Sequence, residues 1–450
     1  MSRDADRPRP RVGSLAELIA LAAPVIGARL GIMAMGLTDS IVVGRFSATQ
    51  LGFHALGWAP TAVVLTTSVG LLHGIQVMTS RTIGEGRLDR TGAVLRRGVV
   101  YAAWIGVAAS VALFALGPGL LRVLGLDPVL AAGAGRVVQV FALSMPMYLV
   151  ANAVTNYLEG LGRPLPGMIA MWVANAVNLG LNLLLVSGSH GLPAMGAVGA
   201  AWSTFGARAV LMVSLLAWVA LMPDARALGI FTRPERDLAA EVQQRRIGYG
   251  GGVSLFVEGA AFSGMSVVAG WLGGLAVAGW AVVLNVSAVI FMVPLGLAIA
   301  TSVLVGRAYG ARDDRGVIRA GLLGFGTCTV LAGAISLIVW PTAPLIASAY
   351  ATDPALIRLA SGALVLACLF FVADALQVVV SMALRARGDI LVPAIIHITS
   401  YAVVMLPLGW ALAHPAGLGL NGIVWAVIIA SFLVSTLLLG RFWILAKQRL

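Results

Sequence analysis

Long apolar segments alternate with short polar ones along almost the whole chain. Each of twelve segments has about 20 residues or more, the length that an α-helix needs to cross the hydrocarbon core of a membrane. These segments lie at 15–43, 53–79, 98–117, 130–158, 165–187, 196–221, 248–272, 276–305, 319–340, 355–384, 391–413 and 419–445. The pattern predicts an all-α, polytopic membrane protein with twelve transmembrane helices, several of which are long enough to tilt.

The most polar internal stretch, at 222–247, separates six of these predicted helices from the other six. We interpret it as a linker between an N-terminal lobe at 15–221 and a C-terminal lobe at 248–445. Short tails at 1–14 and 446–450 complete the predicted organisation.

The two halves of the chain resemble each other at a constant offset of 226 residues without gaps. The matched pairs are Gly70 and Gly296, Arg81 and Arg307, Gly84 and Gly310, Asp127-Pro128 and Asp353-Pro354, Gly162 and Gly388, and Gly196 and Gly422. Because six spans is an even number, both halves enter the membrane from the same side. The repeat is therefore predicted to be parallel, about an axis along the membrane normal.

Composition supports the membrane assignment, since only 11% of the residues are charged, against about 25% in an average soluble domain. Most of the 30 basic residues lie on one face of the predicted topology. The exceptions are Arg45, Arg122, Arg136 and Arg358 on the outer side, and Arg29 and Arg208 within spans. The positive-inside rule assigns the basic face to the cytoplasm.

This topology places the linker, both tails and both termini in the cytoplasm of a multi-pass protein of the inner (plasma) membrane. The net charge of +12 is then explained by topology and by contact with anionic membrane lipids, and no nucleic-acid partner is expected. The two cysteines form no spacing motif, so neither a disulfide framework nor a zinc site is expected.

Three acids lie inside these apolar segments, namely Asp39, Glu258 and Asp374. A carboxylate in the bilayer core is costly, and such residues usually line a water-filled path for an ion or substrate. The alternative is that intramembrane arginines neutralise Glu258 and Asp374, or that Asp39 is a hydrated helix-end residue. We favour an ion-coupled transporter.

The segments around these acids resemble a known family. They include Glu258, Asn285-Val286-Ser287, Val305-Gly306-Arg307-Ala308-Tyr309-Gly310, Asp374-Ala375-Leu376-Gln377, Thr38-Asp39-Ser40, Glu159-Gly160-Leu161-Gly162 and Asn178 with Asn182. Together they resemble the multidrug and toxic compound extrusion (MATE) family, NorM branch, over about residues 15–440.

The resemblance implies a V-shaped fold of two six-helix lobes that alternates between facing out and facing in. It implies export of cationic amphipathic compounds in exchange for Na⁺ or H⁺. Glu258 and Asp374 match the family's second-lobe cation-site acids, which would bind Na⁺ if the protein is sodium-coupled, and Asp39 matches its first-lobe acid. Some members carry an Asp at the position of Asn182, so the Asn weakens a first-lobe cation site here.

Further residues are candidates for the substrate cavity: Asn178, Asn182, Asn285, Phe291, Phe370 and Gln377. An aromatic face can attract an organic cation. The alternative for the asparagines is hydrogen bonding between helices, and the alternative for the phenylalanines is simple packing.

No catalytic motif and no phosphate-binding loop of the GxxxxGK[ST] type occurs in the sequence. We therefore expect no enzyme activity and no cofactor beyond the coupling ion. Because one chain is predicted to hold a complete transport path, we expect a monomeric transporter. One alternative is a flippase or exporter of a lipid-linked saccharide or other metabolite in the wider superfamily. Acids outnumber arginines within the spans, which favours a cationic substrate over an anionic one. A receptor or scaffold is a third alternative, for which buried acids have no evident use.

Overall fold

The structure, a computed structural model, describes residues 13–123, 127–188, 191, 193–232 and 237–448. Parts of both predicted tails, at 1–12 and 449–450, and part of the predicted linker, at 233–236, lie outside these residues. The boundaries of the predicted lobes stay predictions.

Every regular element in the described residues is helical. The α-helices are α1 Leu15–Phe46, α2 Ala48–Leu71, α3 His73–Gly84, α4 Thr91–Val123, α5 Pro128–Leu143, α6 Met145–Gly160, α7 Leu165–Leu185, α8 Gly196–Leu221, α9 Leu238–Leu272, α10 Gly274–Gly310, α11 Asp314–Tyr350, α12 Pro354–Ala386, α13 Leu391–His397, α14 Leu406–Ala413 and α15 Gly419–Lys447. A π-helix, Ile398–Met405, joins α13 to α14, and a single 3₁₀ turn, Leu88–Arg90, precedes α4.

Eleven helical stretches in the described chain are long and apolar enough to cross a membrane, and α5 with α6 forms a twelfth that is bent by 43°. The predicted all-α fold with twelve spans is therefore confirmed. The bend has a local cause: Pro146, near the start of α6, has no N–H to continue the hydrogen bonding of α5.

The repeated Asp-Pro pairs start two equivalent helices. Asp127 caps α5 by accepting hydrogen bonds from the N–H groups of Val129 and Leu130 at 2.9 and 3.1 Å. Asp353 caps α12 by accepting a hydrogen bond from the N–H group of Ala355 at 3.0 Å. In both helices the proline stands at the first position, where no hydrogen-bond donor is needed. This sequence repeat is thus a repeat of local structure.

The apolar cores largely follow the two halves. One core combines residues of α9 to α15, and another combines residues of α2 to α8. Helix α1 joins both, because Leu18, Leu21 and Val25 pack into the second-half core whereas Met35 packs into the first-half core. Helix α1 is therefore shared between the halves.

The halves are joined by two arginines at one end of the bundle, which we name the arginine-rich end because it carries Arg81, Arg87, Arg307 and Arg312. Arg81, on α3, donates to the backbone oxygens of Ala386 and Arg385 at the end of α12, at 2.8 and 3.1 Å. Arg307, on α10, donates to the Leu161 oxygen after α6, at 3.0 Å. Each arginine thus binds carbonyl groups at a helix C-terminus of the opposite half.

Glycines bring α3 and α10, the helices that carry Arg81 and Arg307, into close contact. A Cβ atom at Gly84 would lie 2.0 Å from the Arg307 backbone oxygen, and one at Gly310 would lie 2.2 Å from the Arg81 backbone oxygen. Since each glycine contacts the backbone of the opposite half, neither position has room for a side chain. The arginine-rich end is closed in this structure.

Candidate functional site

In the second half, the acids predicted on separate spans are brought together around one amide. Glu258, on α9, accepts a hydrogen bond from Gln377 Nε2, on α12, at 3.3 Å. Asp374 lies one turn before Gln377 on α12 and is within reach of the same amide. Tyr401 donates its hydroxyl hydrogen to Asp374 Oδ1 at 3.3 Å. Two carboxyls, an amide and a phenol therefore form one cluster.

The end of α13 and the π-helix that follows it place Tyr401 and a further ring, His397, beside this cluster. His397 ends α13 and Tyr401 lies inside Ile398–Met405. Gln377 Oε1 lies 2.9 Å from His397 Nε2, and His397 Nδ1 lies 2.6 Å from the Pro393 backbone oxygen. Short π-helical segments are frequent at functional sites, and this one brings two polar rings toward α12.

In the part of the chain that the structure describes, a buried arginine interacts with one of these acids. Arg385, on α12, is buried and lies within electrostatic range of Glu258. Its Nη1 lies 3.5 Å from the sulfur of Met382, and its Nε has no hydrogen-bond partner in the described residues. The second-half cluster thus contains two carboxyls, and of these Arg385 interacts with Glu258 alone. A single added positive charge would balance the second carboxylate.

The acid of the first half has a different environment. Asp39 Oδ1 accepts hydrogen bonds from Asn178 and Asn182 at 3.0 and 2.6 Å, and Oδ2 accepts one from Thr204 at 2.6 Å. All four side chains are buried. Three donors satisfy the hydrogen-bonding capacity of a carboxylate well, so protein groups already occupy the Asp39 oxygens.

An arginine also compensates Asp39. Arg208, on α8, is buried within electrostatic range of Asp39. It donates to the Ser144 hydroxyl at 2.7 Å, and its guanidinium carbon lies 4.8 Å from the centre of the Tyr148 ring. The charge of Arg208 is thus held by protein groups.

The other intramembrane arginine forms an ion pair. Arg29 Nη2 lies 3.2 Å from Glu159 Oε1, and both side chains are buried. Arg29 is therefore paired with an acid of α6, while Asp39, on the same helix as Arg29, has its own partners. In the first half each of the buried acids Asp39 and Glu159 is matched by an arginine.

The structure does not join every predicted site residue to these clusters. Asn285 donates to the Ala281 oxygen of its own helix at 2.8 Å. Phe291 packs at the edge of the second-half core, and Phe370 is buried with its ring 5.0 Å from that of Phe371. Their contact with substrate stays a prediction, as do the roles predicted for the acids, for Asn178, Asn182 and for Gln377.

Sequence reasoning missed three partners of the acids, Thr204, Arg385 and Tyr401, and the partner of Gln377, His397. His397 carried the clearest signal, because a polar ring inside an apolar span needs a partner. Among the described residues, no group of three or more His, Cys, Asp or Glu side chains is arranged to hold a metal ion. A cation would therefore need oxygens from other residue types as well.

Comparison with known proteins gives concordant results. The family model described as MatE matches residues 24–184 and 253–411. The chain is 55% identical to a probable multidrug resistance protein NorM of Caulobacter vibrioides, over 97% of this chain and 93% of that protein. It is 32% identical to the multidrug resistance protein PmpM of Pseudomonas aeruginosa, over 88% and 84% of the two chains.

The fold matches solved transporters of the same kind. An outward-facing multidrug resistance MATE transporter superposes with a TM-score of 0.89 at 20% identity and covers 99% of this chain and 100% of that one. A eukaryotic MATE transporter superposes with a TM-score of 0.87 at 17% identity, with 96% of each chain covered. The chain therefore belongs to the MATE family, as a multi-span multidrug efflux transporter and not an enzyme.

Proposed function

We propose that this protein exports cationic amphipathic compounds in exchange for Na⁺ or H⁺, and that Glu258 and Asp374 bind the coupling cation. The observation that carries the proposal is the balance of charge in the second half, where, among the described residues, two carboxyls share Gln377 and only Glu258 interacts with an arginine, Arg385. A carboxylate without a compensating charge is costly to bury. An incoming cation, from the ion gradient or on the substrate, relieves that cost.

The exchange follows because the coupling cation and a cationic substrate compete for the same negative charge. A proton or Na⁺ that enters the cluster neutralises the charge that would otherwise attract an organic cation, and so favours release of substrate. Loss of the coupling cation restores the negative charge and favours binding of the next substrate. Carboxylate oxygens and the Tyr401 hydroxyl offer oxygen ligands of the kind that hard cations prefer, so the donor set suits Na⁺ as well as H⁺.

The structure, with its arginine-rich end closed, corresponds to one state of an alternating-access cycle. We assign the arginine-rich end to the cytoplasm on the positive-inside pattern, with both termini on that side of the inner membrane. Closure there corresponds to a protein that communicates with the outer side. Opening requires Arg81 and Arg307 to leave the carbonyls that they bind in the opposite half. Each chain contains both halves, so we propose that the monomer is the functional unit.

Flipping of an anionic lipid-linked saccharide is less well supported. Such a substrate needs cationic groups that are free to hold phosphates. Arg29 is paired with Glu159, and Arg208 is held by Ser144 and Tyr148. These two intramembrane arginines are thus already engaged by protein groups.

Reconstituted vesicles test the proposal. Ethidium efflux is measured for the wild type and for Glu258→Gln under an imposed Na⁺ gradient and, separately, an imposed pH gradient. We expect one or both gradients to drive efflux by the wild type and neither to drive efflux by the variant. If efflux by the wild type does not depend on either gradient, the proposal is wrong. If a gradient drives efflux by Glu258→Gln, Glu258 is not part of the coupling site.

A further inference from the structure

Gln377 connects the acid pair to His397, and the geometry restricts how it does so. His397 Nδ1 lies 2.6 Å from the Pro393 backbone oxygen. A carbonyl oxygen only accepts hydrogen bonds, so Nδ1 carries a hydrogen. In a neutral imidazole the other nitrogen, Nε2, is then an acceptor.

The surroundings of His397 favour the neutral ring. His397 and Gln377 are buried at 2% and 0% exposure, and Arg385 lies within electrostatic range of the ring. The groups at the ring are Gln377 and Arg385 on α12 and Tyr401, whose ring centre lies 5.9 Å away. Glu258 and Asp374 contact Gln377 and Tyr401 respectively. A charged imidazole would be buried away from water and repelled by the nearby Arg385, and both effects favour the neutral ring.

A neutral His397 conflicts with one orientation of the Gln377 amide. With Nε2 of Gln377 toward Glu258 at 3.3 Å, its oxygen faces His397 Nε2 at 2.9 Å, and two acceptors then oppose each other. A half-turn of the amide exchanges its oxygen and nitrogen with little change of shape. The NH₂ group then donates to His397, and the oxygen faces Glu258.

The turned amide suits an occupied site. Two oxygens about 3.3 Å apart repel unless Glu258 carries a proton or a cation lies between them. The empty carboxylate, in contrast, prefers the NH₂ group of Gln377. His397 therefore penalises the empty arrangement and supports the occupied one.

We propose that His397 is a positioning residue, whose neutral imidazole turns the carbonyl oxygen of Gln377 toward Glu258 and so raises the affinity of the acid pair for its coupling cation. The effect on affinity rests on the proposed exchange function. The orientation of the amide does not depend on it, and the two can be tested separately.

The first test reads the ring itself. Nitrogen NMR of protein labelled with ¹⁵N-histidine is recorded in lipid, and the signal of His397 is identified by its loss in His397→Phe. We expect a neutral ring with hydrogen on Nδ1, and an Nε2 signal that shifts in Gln377→Leu because its donor is gone. An imidazolium, hydrogen on Nε2, or no response to Gln377→Leu would overturn the inference, whether or not the protein exchanges ions.

The second test reads the affinity. The cation concentration that half-saturates efflux is measured for the wild type, for His397→Phe, which keeps a flat ring, and for His397→Gln, which keeps an acceptor. Loss of one hydrogen bond of about 1.4 kcal/mol corresponds to a tenfold rise for the Phe variant, and the Gln variant recovers part of it. In a Gln377→Leu background, the change from His397 to Phe has no further effect.

This design separates the inference from a purely structural role of His397. A structural defect would raise the half-saturating concentration equally in both backgrounds and would not be relieved by Gln, and either result would overturn the inference. Gradient-dependent efflux that is lost in Glu258→Gln but unaltered in His397→Phe would overturn it while leaving the proposed exchange intact.

Discussion

The two halves of the transporter hold their buried acids in opposite ways. In the first half, Asp39 has three hydrogen-bond donors with Arg208 nearby, and Glu159 is paired with Arg29. In the second half, Glu258 and Asp374 share Gln377, and one arginine, Arg385, interacts with Glu258. The difference lies in the side chains and also in the backbone, because the π-helix Ile398–Met405 corresponds, at the offset of 226 residues, to part of the continuous helix α7.

The repeat shows where this difference arises. Glu159 and Arg385 occupy equivalent positions, 226 residues apart, and carry opposite charges. Their partners also have opposite charges, since Arg29 faces Glu159 whereas Glu258 faces Arg385. The first-half pair is complete, and the second half has one further acid, Asp374. A structural ion pair and a proposed exchange site thus occupy comparable places in one repeat.

The largest expected effect comes from the second-half acids. Glu258→Gln and Asp374→Asn should each abolish gradient-driven efflux, because each removes the charge that a cation would balance. Both variants should insert into the membrane in the same amount as the wild type and remain monodisperse in detergent. Efflux and yield are measured together, and wild-type efflux by both variants would show that the acid pair is not the coupling site.

The first-half ion pair should affect stability instead. Arg29→Met leaves Glu159 buried without its partner, which costs about 3–5 kcal/mol, and Arg29→Met with Glu159→Gln should recover most of that loss. Thermal unfolding in detergent, followed by fluorescence, measures it. Equal stability of the single variant and the wild type would contradict the role assigned to the pair.

A surface pair provides the control for that measurement. Arg163 binds Asp224 through two contacts of 3.0 and 2.7 Å and lowers the pKa of that carboxyl, mainly through the hydrogen bond. The pair is largely exposed, so Arg163→Ala should cost no more than about 1 kcal/mol. A lowered carboxyl pKa means that this small contribution is present at neutral pH and is lost as the pH falls through the pKa of the folded state.

The arginines that join the halves should have an intermediate effect. Arg81→Ala removes two hydrogen bonds to α12 and should shift the population away from closure at the arginine-rich end. A cysteine introduced at Met78, which lines a cavity at that end, should then react severalfold faster with a membrane-impermeant maleimide. The background lacks Cys328 and Cys368.

Arg87, which pairs with Glu85 at the same end, provides the matched control, and Arg87→Ala should leave the reaction rate unchanged. The same acceleration in both variants would indicate a general loosening and not loss of the contact between halves.

The smallest effect is expected at Asp39. Asp39→Asn should retain gradient-driven efflux within about threefold of the wild type, because an amide oxygen can still accept from two of the three donors. Dose curves for several cationic dyes measure the effect. Complete loss of coupling would place the coupling site in the first half and contradict the proposed difference between the halves.

The sequence predicted the elements better than it predicted the contacts between them. Apolar runs of sufficient length located the spans, and the Asp-Pro repeats corresponded to equivalent helix starts. The bend at Pro146 and the π-helix depend on local backbone geometry that the hydropathy pattern does not record. The offset pairing of Arg81 with Arg307 was visible, but their binding across the halves needed the fold.

The acids themselves stood out because charge is rare in these spans. Their partners did not: Tyr401 is separated from Asp374 by 27 residues and Thr204 from Asp39 by 165. Serine, threonine and tyrosine are common enough in membrane helices that such pairings cannot be selected by residue type. The balance of charge that distinguishes the halves therefore became visible only in three dimensions.

The most direct test of this difference is cation release on substrate binding to the purified protein. Ethidium is added in weakly buffered solution, and released protons or Na⁺ are measured for the wild type, Asp39→Asn and Glu258→Gln. The account predicts release from the wild type and from Asp39→Asn, and none from Glu258→Gln. Release that persists in Glu258→Gln and disappears in Asp39→Asn would contradict it.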